Sequence, residues 1–105
     1  MQPDPRRSLD RARQLDALGL AIRRAILERL VAGPLSVGTI ARVFAVSRPA
    51  ISQHIRVLRQ SDLVVPSDVG NRSGYAINVD ALRSLRRYFN DLCTQARRAQ
   101  DGQKS

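Results

Sequence analysis

Apolar residues recur along the chain at the three- and four-residue spacing of amphipathic helices in five separate stretches. Gly19 separates the first two stretches, and Gly33 with Pro34 ends the second, because neither residue type favours helix continuation. Residues 1–8 are expected to form a flexible basic arm, and residues 99–105 a flexible tail. The predicted helices cover residues 9–18, 20–31, 36–44, 48–60 and 81–98.

Each predicted helix has one apolar side that can cover a hydrophobic core. In the first helix, the residues expected to face inward are Leu9, Ala12, Leu15 and Leu18. The second helix has apolar residues at 22, 26, 27 and 30, and the third at 37, 40, 41 and 44. A chain of 105 residues therefore predicts one domain with one small core, over residues 9–98.

The third and fourth predicted helices are joined by a tight connection at Ala45 and Val46. Ser36 and Ser47 stand where N-caps are expected, since a serine hydroxyl can accept from the free N–H groups of a first turn. Pro49 falls in the first turn of the fourth helix, where its missing N–H costs nothing. Two short helices joined in this way are typical of a helix-turn-helix.

Two β-prone runs follow the fourth helix. Residues 63–65 and 75–78 flank a turn rich in Gly, Asn and Ser at residues 68–74, which predicts a hairpin. Pro66 places the first strand at a sheet edge, because proline has no N–H to donate. A hairpin directly after a helix-turn-helix is a wing. The predicted fold is therefore mostly α with a small β-hairpin: a winged helix-turn-helix of four helices, the hairpin and a last helix.

The fourth helix has two chemically different sides. On a wheel with about 100° per residue, Ile51, Ile55 and Leu58 fall together on a buried side. The opposite side has no acidic residue and consists of Arg48, Pro49, Ser52, Gln53, Arg56, Arg59 and Gln60. Arg can bind guanine O6 and N7, and Gln can bind adenine N6 and N7, in a major groove that admits one helix. We interpret this side as a DNA-binding face; the alternative is an ordinary solvated face, which usually mixes both signs of charge.

Two further polar residues lie near this face. Arg72 is at the tip of the hairpin, where a short basic loop can enter a minor groove, although any exposed turn also tolerates an Arg. His54 falls on the wheel between Leu58 and Ala50. We expect it to pack against the preceding helix and to hydrogen-bond a backbone carbonyl or a phosphate, rather than to contact a base or bind a metal.

The charge of the chain favours a polyanionic partner. It has 18 basic and 9 acidic residues, and a formal net charge of +9. Nucleic acid is the first candidate and an anionic membrane surface the second. No apolar run approaches the roughly 18 residues of a membrane span, and the N-terminus lacks the apolar segment of a secretory signal. The lone Cys93 excludes an intramolecular disulfide and fits a reducing cytoplasm.

The last predicted helix carries a second apolar stripe, with arginines on its other side. The stripe consists of Leu82, Leu85, Phe89, Leu92 and Ala96. Because a chain of this size buries little surface, we predict a two-fold dimer through this helix and the first one. Covering the chain's own core is the alternative. Cys93, at the edge of the stripe, is most simply a small core residue; a cross-dimer disulfide or a thiol sensor are the other interpretations.

Three segments of the chain resemble the ArsR/SmtB family of winged-helix repressors. They are residues 25–30 (AILERL), 33–38 (GPLSVG) and 46–58 (VSRPAISQHIRVL). The third segment is especially similar to the family's autorepressors that have no metal site, and the resemblance covers about residues 15–92. It implies a homodimer that sits on operator DNA and leaves when an inducer binds. It also implies base contacts by Arg48, Pro49, Ser52 and Gln53, and a wing contact by Arg72.

The chain departs from the metal-sensing members of that family. Its third predicted helix has no Cys-x-Cys-type motif, and its last helix offers Asp80, Asp91 and Cys93 but no His. Since zinc takes several N or S ligands, we expect none of the family's usual metal sites and no cofactor. A metal site of another kind, built from carboxylates and chain termini, stays open as the alternative. The entry to the second helix also differs, because residues 20–23 (LAIR) stand where many relatives have an Asp-Pro sequence.

The predicted function is a sequence-specific transcriptional repressor, a cytoplasmic homodimer on a palindromic operator. Its inducer is a small molecule, a metal or a protein. Ser47 at the helix N-terminus and Arg56 complete the predicted DNA-binding residues, through phosphate contacts. The alternative function is an interaction module whose basic face docks an acidic protein. An enzyme is a distant third, since one His and one Cys on different helices leave no nucleophile, base and orienting group.

Overall fold

The computed structural model describes residues 5–103, which form five helices and three strands. The helices are α1 (Pro5–Ala17), α2 (Ala21–Leu30), α3 (Val37–Phe44), α4 (Arg48–Gln60) and α5 (Val79–Gln103). The strands are β1 (Leu35–Ser36), β2 (Val64–Val69) and β3 (Arg72–Ile77). This is the predicted winged helix-turn-helix, with one additional short strand before α3.

Helices α2, α3 and α4 enclose a single hydrophobic core. Ile26, Ile40, Ile51 and Leu58 are fully buried, one or two from each helix, and all come from the apolar sides that the sequence predicted. Burying a side chain of this size contributes about 1.5–3 kcal/mol. These contacts therefore hold the two helices of the helix-turn-helix against α2 in a fixed orientation.

The buried side of α1 differs from the prediction. Leu9 is 60% exposed and Leu15 is 37% exposed, whereas Gln14 and Ala17 are buried. A step of three residues turns about 300°, so four residues spaced by three drift across half of the helix circumference. The predicted residues therefore cannot form one buried face. Instead, the side of α1 that includes Gln14 and Ala17 packs against the core.

Both ends of the described chain are more helical than predicted. Helix α1 begins at Pro5, inside the predicted arm, because proline is well tolerated at a first helical position. Helix α5 continues to Gln103, through most of the predicted tail, where Ala99, Gln100 and Gln103 are good helix formers. Residues 1–4 and 104–105 of the predicted arm and tail lie outside the described residues.

The wing is a three-stranded sheet of strand order β1-β3-β2. Its edge strand β2 contains Pro66, as predicted. In β1, Leu35 pairs with Tyr75 and Ser36 with Gly74, which fastens the wing to the start of α3. A Cβ at Gly74 would lie 2.6 Å from the carbonyl oxygen of Leu35, so this close pairing requires a glycine.

Helix α5 extends well beyond the core. Its 25 residues span about 37 Å at 1.5 Å per residue, and the chain measures 60 × 26 × 21 Å along its principal axes. The radius of gyration is 17.1 Å, against about 13 Å for a compact chain of this length. Every residue from Phe89 to Gln103 is exposed, so the described chain itself leaves this half of the helix uncovered.

Candidate nucleic-acid interface

Local interactions fix where α4 begins and how it leaves α3. Ser47 Oγ accepts a hydrogen bond from the Ala50 N–H at 3.3 Å, and Pro49 occupies the first turn, both as predicted. Ahead of them, Ala45 ends α3 in the left-handed conformation, with φ of 52°. This residue turns the chain sharply, so that α4 packs across α3 instead of continuing it.

The two sides of α4 separate as the helical wheel predicted. Ile51, Ile55 and Leu58 are at most 3% exposed and hold the helix on the core. The residues predicted to bind DNA from this helix and its cap are all exposed: Ser47, Arg48, Pro49, Ser52, Gln53 and Arg56. Arg59 and Gln60 continue the same surface, and the helix contains no acidic residue. The exposed side of α4 is therefore polar and positively charged along its whole length.

A tight turn places Arg72 at the base of the wing tip. Strands β2 and β3 are joined by Gly70 and Asn71, and Gly70 has φ of 60°. A positive φ at the first central residue alone is typical of a type II′ hairpin turn, which favours glycine there. Arg72 is therefore not in the turn, where the sequence placed it: it is the first residue of β3, pairs with Val69 and is exposed.

Three arginines from separate elements line one groove, which we call the arginine groove. Arg42 comes from the last turn of α3, Arg48 from the start of α4 and Arg72 from the start of β3. The full lining is Ser36, Val37, Gly38, Arg42, Arg48, Arg72 and Ser73, without an acidic residue. Nothing in the sequence distinguishes Arg42 from the other arginines, because only the tertiary packing of α3 beside the wing brings it to this groove.

His54 contacts a different helix from the one predicted. It is partly buried, and its Nδ1 accepts a hydrogen bond from Arg23 Nε of α2 at 3.5 Å. Arg23 also donates through Nη1 to the carbonyl of Ala17 at 3.3 Å. A wheel of α4 alone cannot distinguish its two neighbouring helices, and α2 lies on the side where His54 falls. The contact connects α4 to α2 and, through Arg23, to the end of α1.

The apolar stripe of α5 divides into two parts. Leu82 and Leu85 pack on the chain's own core, and Leu85 is only 6% exposed. Phe89 and Leu92 are 48% and 46% exposed, and Ala96 beyond them is exposed as well. The inner part of the stripe thus covers the core of the chain, and the outer part has no cover within it.

Cys93 is exposed, so the prediction that it is a small core residue is wrong for the single chain. The core ends at Leu85, about two helical turns before it. Among residues 5–103, no group of three or more His, Cys, Asp and Glu side chains is arranged to hold a metal ion. Within the same residues, none of the helices combines the length and the apolar character needed to cross a membrane.

Comparison with known proteins places these features in a family. The model of a family described as a helix-turn-helix domain matches residues 21–66. The HTH-type transcriptional regulator Rv2034 of Mycobacterium tuberculosis is 47% identical over 90 residues, which cover 86% of this chain and 82% of that protein. The transcriptional repressor SdpR of Bacillus subtilis is 34% identical over 61 residues, covering 58% of this chain and 68% of that protein.

A solved structure agrees with this assignment. The homodimeric winged helix-turn-helix DNA-binding domain of Mb0332 from Mycobacterium bovis, a possible ArsR-family transcriptional regulator, matches with a TM-score of 0.67 and 28% identity. The match covers 87% of this chain and 89% of that one. Sequence relatives, fold and the exposed side of α4 lead to the same conclusion: the chain belongs to the ArsR/SmtB family of winged-helix, DNA-binding transcriptional regulators.

Proposed function

We propose that the protein is a transcriptional repressor that binds a palindromic operator as a homodimer and is released by an inducer. The observation that carries this proposal is the exposed, acid-free side of α4 beside the exposed Arg72 of the wing. Such a surface matches a duplex in shape and charge, since one helix fits a major groove and arginines neutralise phosphates. The similarity to a protein named as a transcriptional repressor supports repression of transcription rather than activation.

Base contacts come from the first two turns of α4. In a helix-turn-helix, the N-terminal residues of the second helix meet the base edges. Gln53 can bind adenine through N6 and N7, Ser52 can serve either base of a pair, and Pro49 can contact a thymine methyl group. Ser47 and Arg56, at the borders of this surface, are placed for contacts to phosphates, which set orientation and carry no sequence information.

The uncovered half of α5 supplies the dimer contact. Phe89 and Leu92 are large apolar side chains that stay about half exposed on a helix extending past its own core. Pairing with the same helix of a second chain would bury them, and Ala96 allows a close approach of the two helices. A two-fold dimer presents two α4 helices to successive major grooves about 34 Å apart, which makes the operator palindromic. The homodimeric state of the solved relative supports this arrangement.

The inducer is a small molecule, a metal or a protein, and it acts by lowering the affinity of the dimer for the operator. A ligand can shift the equilibrium between DNA-bound and DNA-free protein only by as much as its affinity for the DNA-free form exceeds its affinity for the DNA-bound form. We assign no catalytic activity to the protein, in keeping with relatives that are transcriptional regulators.

Selection of binding sites from a random DNA pool tests the proposal. The wild type is expected to enrich an approximately palindromic motif. A dimer that neutralises about six phosphates should lose affinity with a slope of about −5 in log K against log salt. Gln53→Ala should relax the preference at one base pair per half-site, by about 1–3 kcal/mol. Gln95→Ala, at an exposed glutamine of α5, is the matched control and should keep the motif.

Two outcomes would contradict the proposal. If the wild type enriches no motif, the repressor function fails, and an interaction module that docks an acidic protein takes its place. If a motif appears and Gln53→Ala leaves it unchanged, α4 does not make the base contacts that we assign to it.

A further inference from the structure

The arginine groove suggests a specific DNA contact that the sequence did not indicate. We propose that Arg42, Arg48 and Arg72 together bind one phosphate of the DNA backbone in each half-site. Arg42 then becomes a DNA-binding residue, and Arg48 contacts a phosphate where the family resemblance implies a base. This inference rests on the proposed function and identifies the part of the DNA, a backbone phosphate, that binds in the arginine groove.

The position of Arg48 is the first observation. A Cβ built on Gly38 would lie 3.9 Å from both Cζ and Nη2 of Arg48. The guanidinium of Arg48 therefore lies over the first turn of α3, inside the groove. With α4 in a major groove, as proposed, a side chain turned towards α3 in this way would face the DNA backbone rather than the base edges.

The second observation is that Arg42 is held in place. Its Nη2 donates a hydrogen bond to Thr39 Oγ1 at 3.3 Å. The same Oγ1 accepts a hydrogen bond from Ser36 Oγ at 3.0 Å, and Ser36 Oγ in turn caps α3 through the Thr39 N–H. This chain of contacts orients the guanidinium before any ligand arrives, which lowers the entropic cost of binding.

The third observation is the excess of positive charge in the groove, beside which the wing has one acidic residue, Asp68, opposite Ser73. No acidic side chain lines the groove, and within residues 5–103 none of its three arginines takes part in an ion pair. Three positive charges that line one groove repel one another, and an anion between them would remove that repulsion. Guanidinium groups bind phosphate oxygens with two parallel hydrogen bonds, which makes a phosphate the best matched anion. The N-terminus of α3, which lines the same groove, adds a favourable dipole.

The place of the groove between two DNA-facing elements identifies the source of the phosphate. Helix α4 is proposed to occupy a major groove, and the wing tip an adjacent minor groove. One sugar–phosphate backbone separates these two grooves of a duplex. The arginine groove lies between the start of α4 and the start of β3, so a phosphate of that backbone has to pass it.

Neutralising single phosphates of the selected operator tests the contact. Duplexes that carry one uncharged methylphosphonate linkage at successive positions are titrated with the wild type, Arg42→Gln and Arg48→Gln. One linkage per half-site should weaken wild-type binding and have much less effect on either variant, because the contact is already lost there. Both variants should lower the salt slope by about one per chain and leave the selected motif unchanged. Arg29→Gln is the control, because it removes the same single positive charge from an exposed arginine of α2 outside the groove.

A second pair of variants tests the groove without removing an arginine. Gly38→Glu puts a carboxylate next to Arg48, whereas Gly38→Gln adds a neutral side chain of the same size. The Glu variant should bind the operator more weakly than the Gln variant and with a smaller salt slope. Equal losses in the two variants would show that only the volume of the groove matters, which contradicts a phosphate site.

The remaining outcomes separate this inference from the proposed function. If the wild type selects a motif and Arg48→Gln changes a preferred base, Arg48 contacts that base and the phosphate site is wrong. The same holds if every methylphosphonate duplex weakens the variants as much as the wild type. A wild type that selects no motif overturns the repressor function and the phosphate site with it.

Discussion

Phe89 offers a direct test of the dimer, since its contribution can be worked out from its exposure. It is 48% exposed on α5, and an aromatic side chain buries about 150–250 Å² when it is fully covered. Roughly 100 Å² thus remains to be buried, which at about 25 cal/mol per Å² amounts to about 2.5 kcal/mol per chain. A symmetric dimer contains this contact twice, for a total of about 5 kcal/mol.

Replacing Phe89 by alanine should remove most of this contribution. Alanine keeps a small apolar surface, so we expect the dimer to lose about 4 kcal/mol and its Kd to rise on the order of 10³-fold. Sedimentation equilibrium from nanomolar to high micromolar concentrations measures the change, and the wild type should be a dimer at micromolar concentration. Val31→Ala is the control, because Val31 is 76% exposed at the end of α2, away from α5.

The choice of position matters for this test. Leu85 belongs to the same stripe and is only 6% exposed, so its replacement would open a cavity in the chain's own core. A monomer produced in that way would report unfolding instead of a lost interface. A Kd of Phe89→Ala within a few-fold of the wild type would refute the dimer contact, as would a wild type that is monomeric and folded at micromolar concentration.

Four further predictions follow from local geometry. Ser47→Ala removes the N-cap of α4 and should lower the free energy of unfolding by about 1 kcal/mol, or Tm by about 4–8 °C. Ser84→Ala, at an exposed serine of α5, is the control and should leave Tm unchanged. Equal melting temperatures of the two variants would contradict the stabilising role of the cap. Ala45→Gly should raise the stability by up to about 1 kcal/mol in urea denaturation, since a left-handed alanine is strained; a decrease would contradict that strain. Gly74→Ala should lower Tm, because the added Cβ would push β1 away from β3. Gly102→Ala is the control and should not lower Tm, because the space around Gly102 is open. Untagged, dialysed protein should contain no stoichiometric zinc or nickel in elemental analysis, and one retained ion per chain would disprove this.

The sequence was sufficient for features that a single helix or hairpin determines. The buried and exposed sides of α4 follow from its own periodicity, so Ile51 and Gln53 fall on the correct sides without knowledge of the neighbours. The N-caps at Ser36 and Ser47 follow from local hydrogen bonding. The hairpin follows from its two β-prone runs, although its turn consists of Gly70 and Asn71 alone and not of the whole predicted segment 68–74.

Features that depend on tertiary packing could not be predicted in the same way. Strand β1 has two residues, too few to show any alternation, and it exists because β3 offers it a partner. Arg42 is one of 17 arginines in the sequence, and only the packing of α3 beside the wing brings it next to Arg48 and Arg72. Cys93 continues an apolar stripe whose periodicity does not reveal where the core of the chain ends.

The pairing of β1 with β3 has a consequence for how the protein binds DNA. An isolated two-stranded hairpin is marginally stable, and ordering one residue of backbone costs about 1–2 kcal/mol. Because Leu35 and Ser36 hold the wing against the start of α3, this ordering takes place when the chain folds. Helix α4 and the wing, the two elements proposed to face the DNA, should therefore approach the duplex as one preformed body. Association is then governed by diffusion and electrostatic steering, without a slow conformational step.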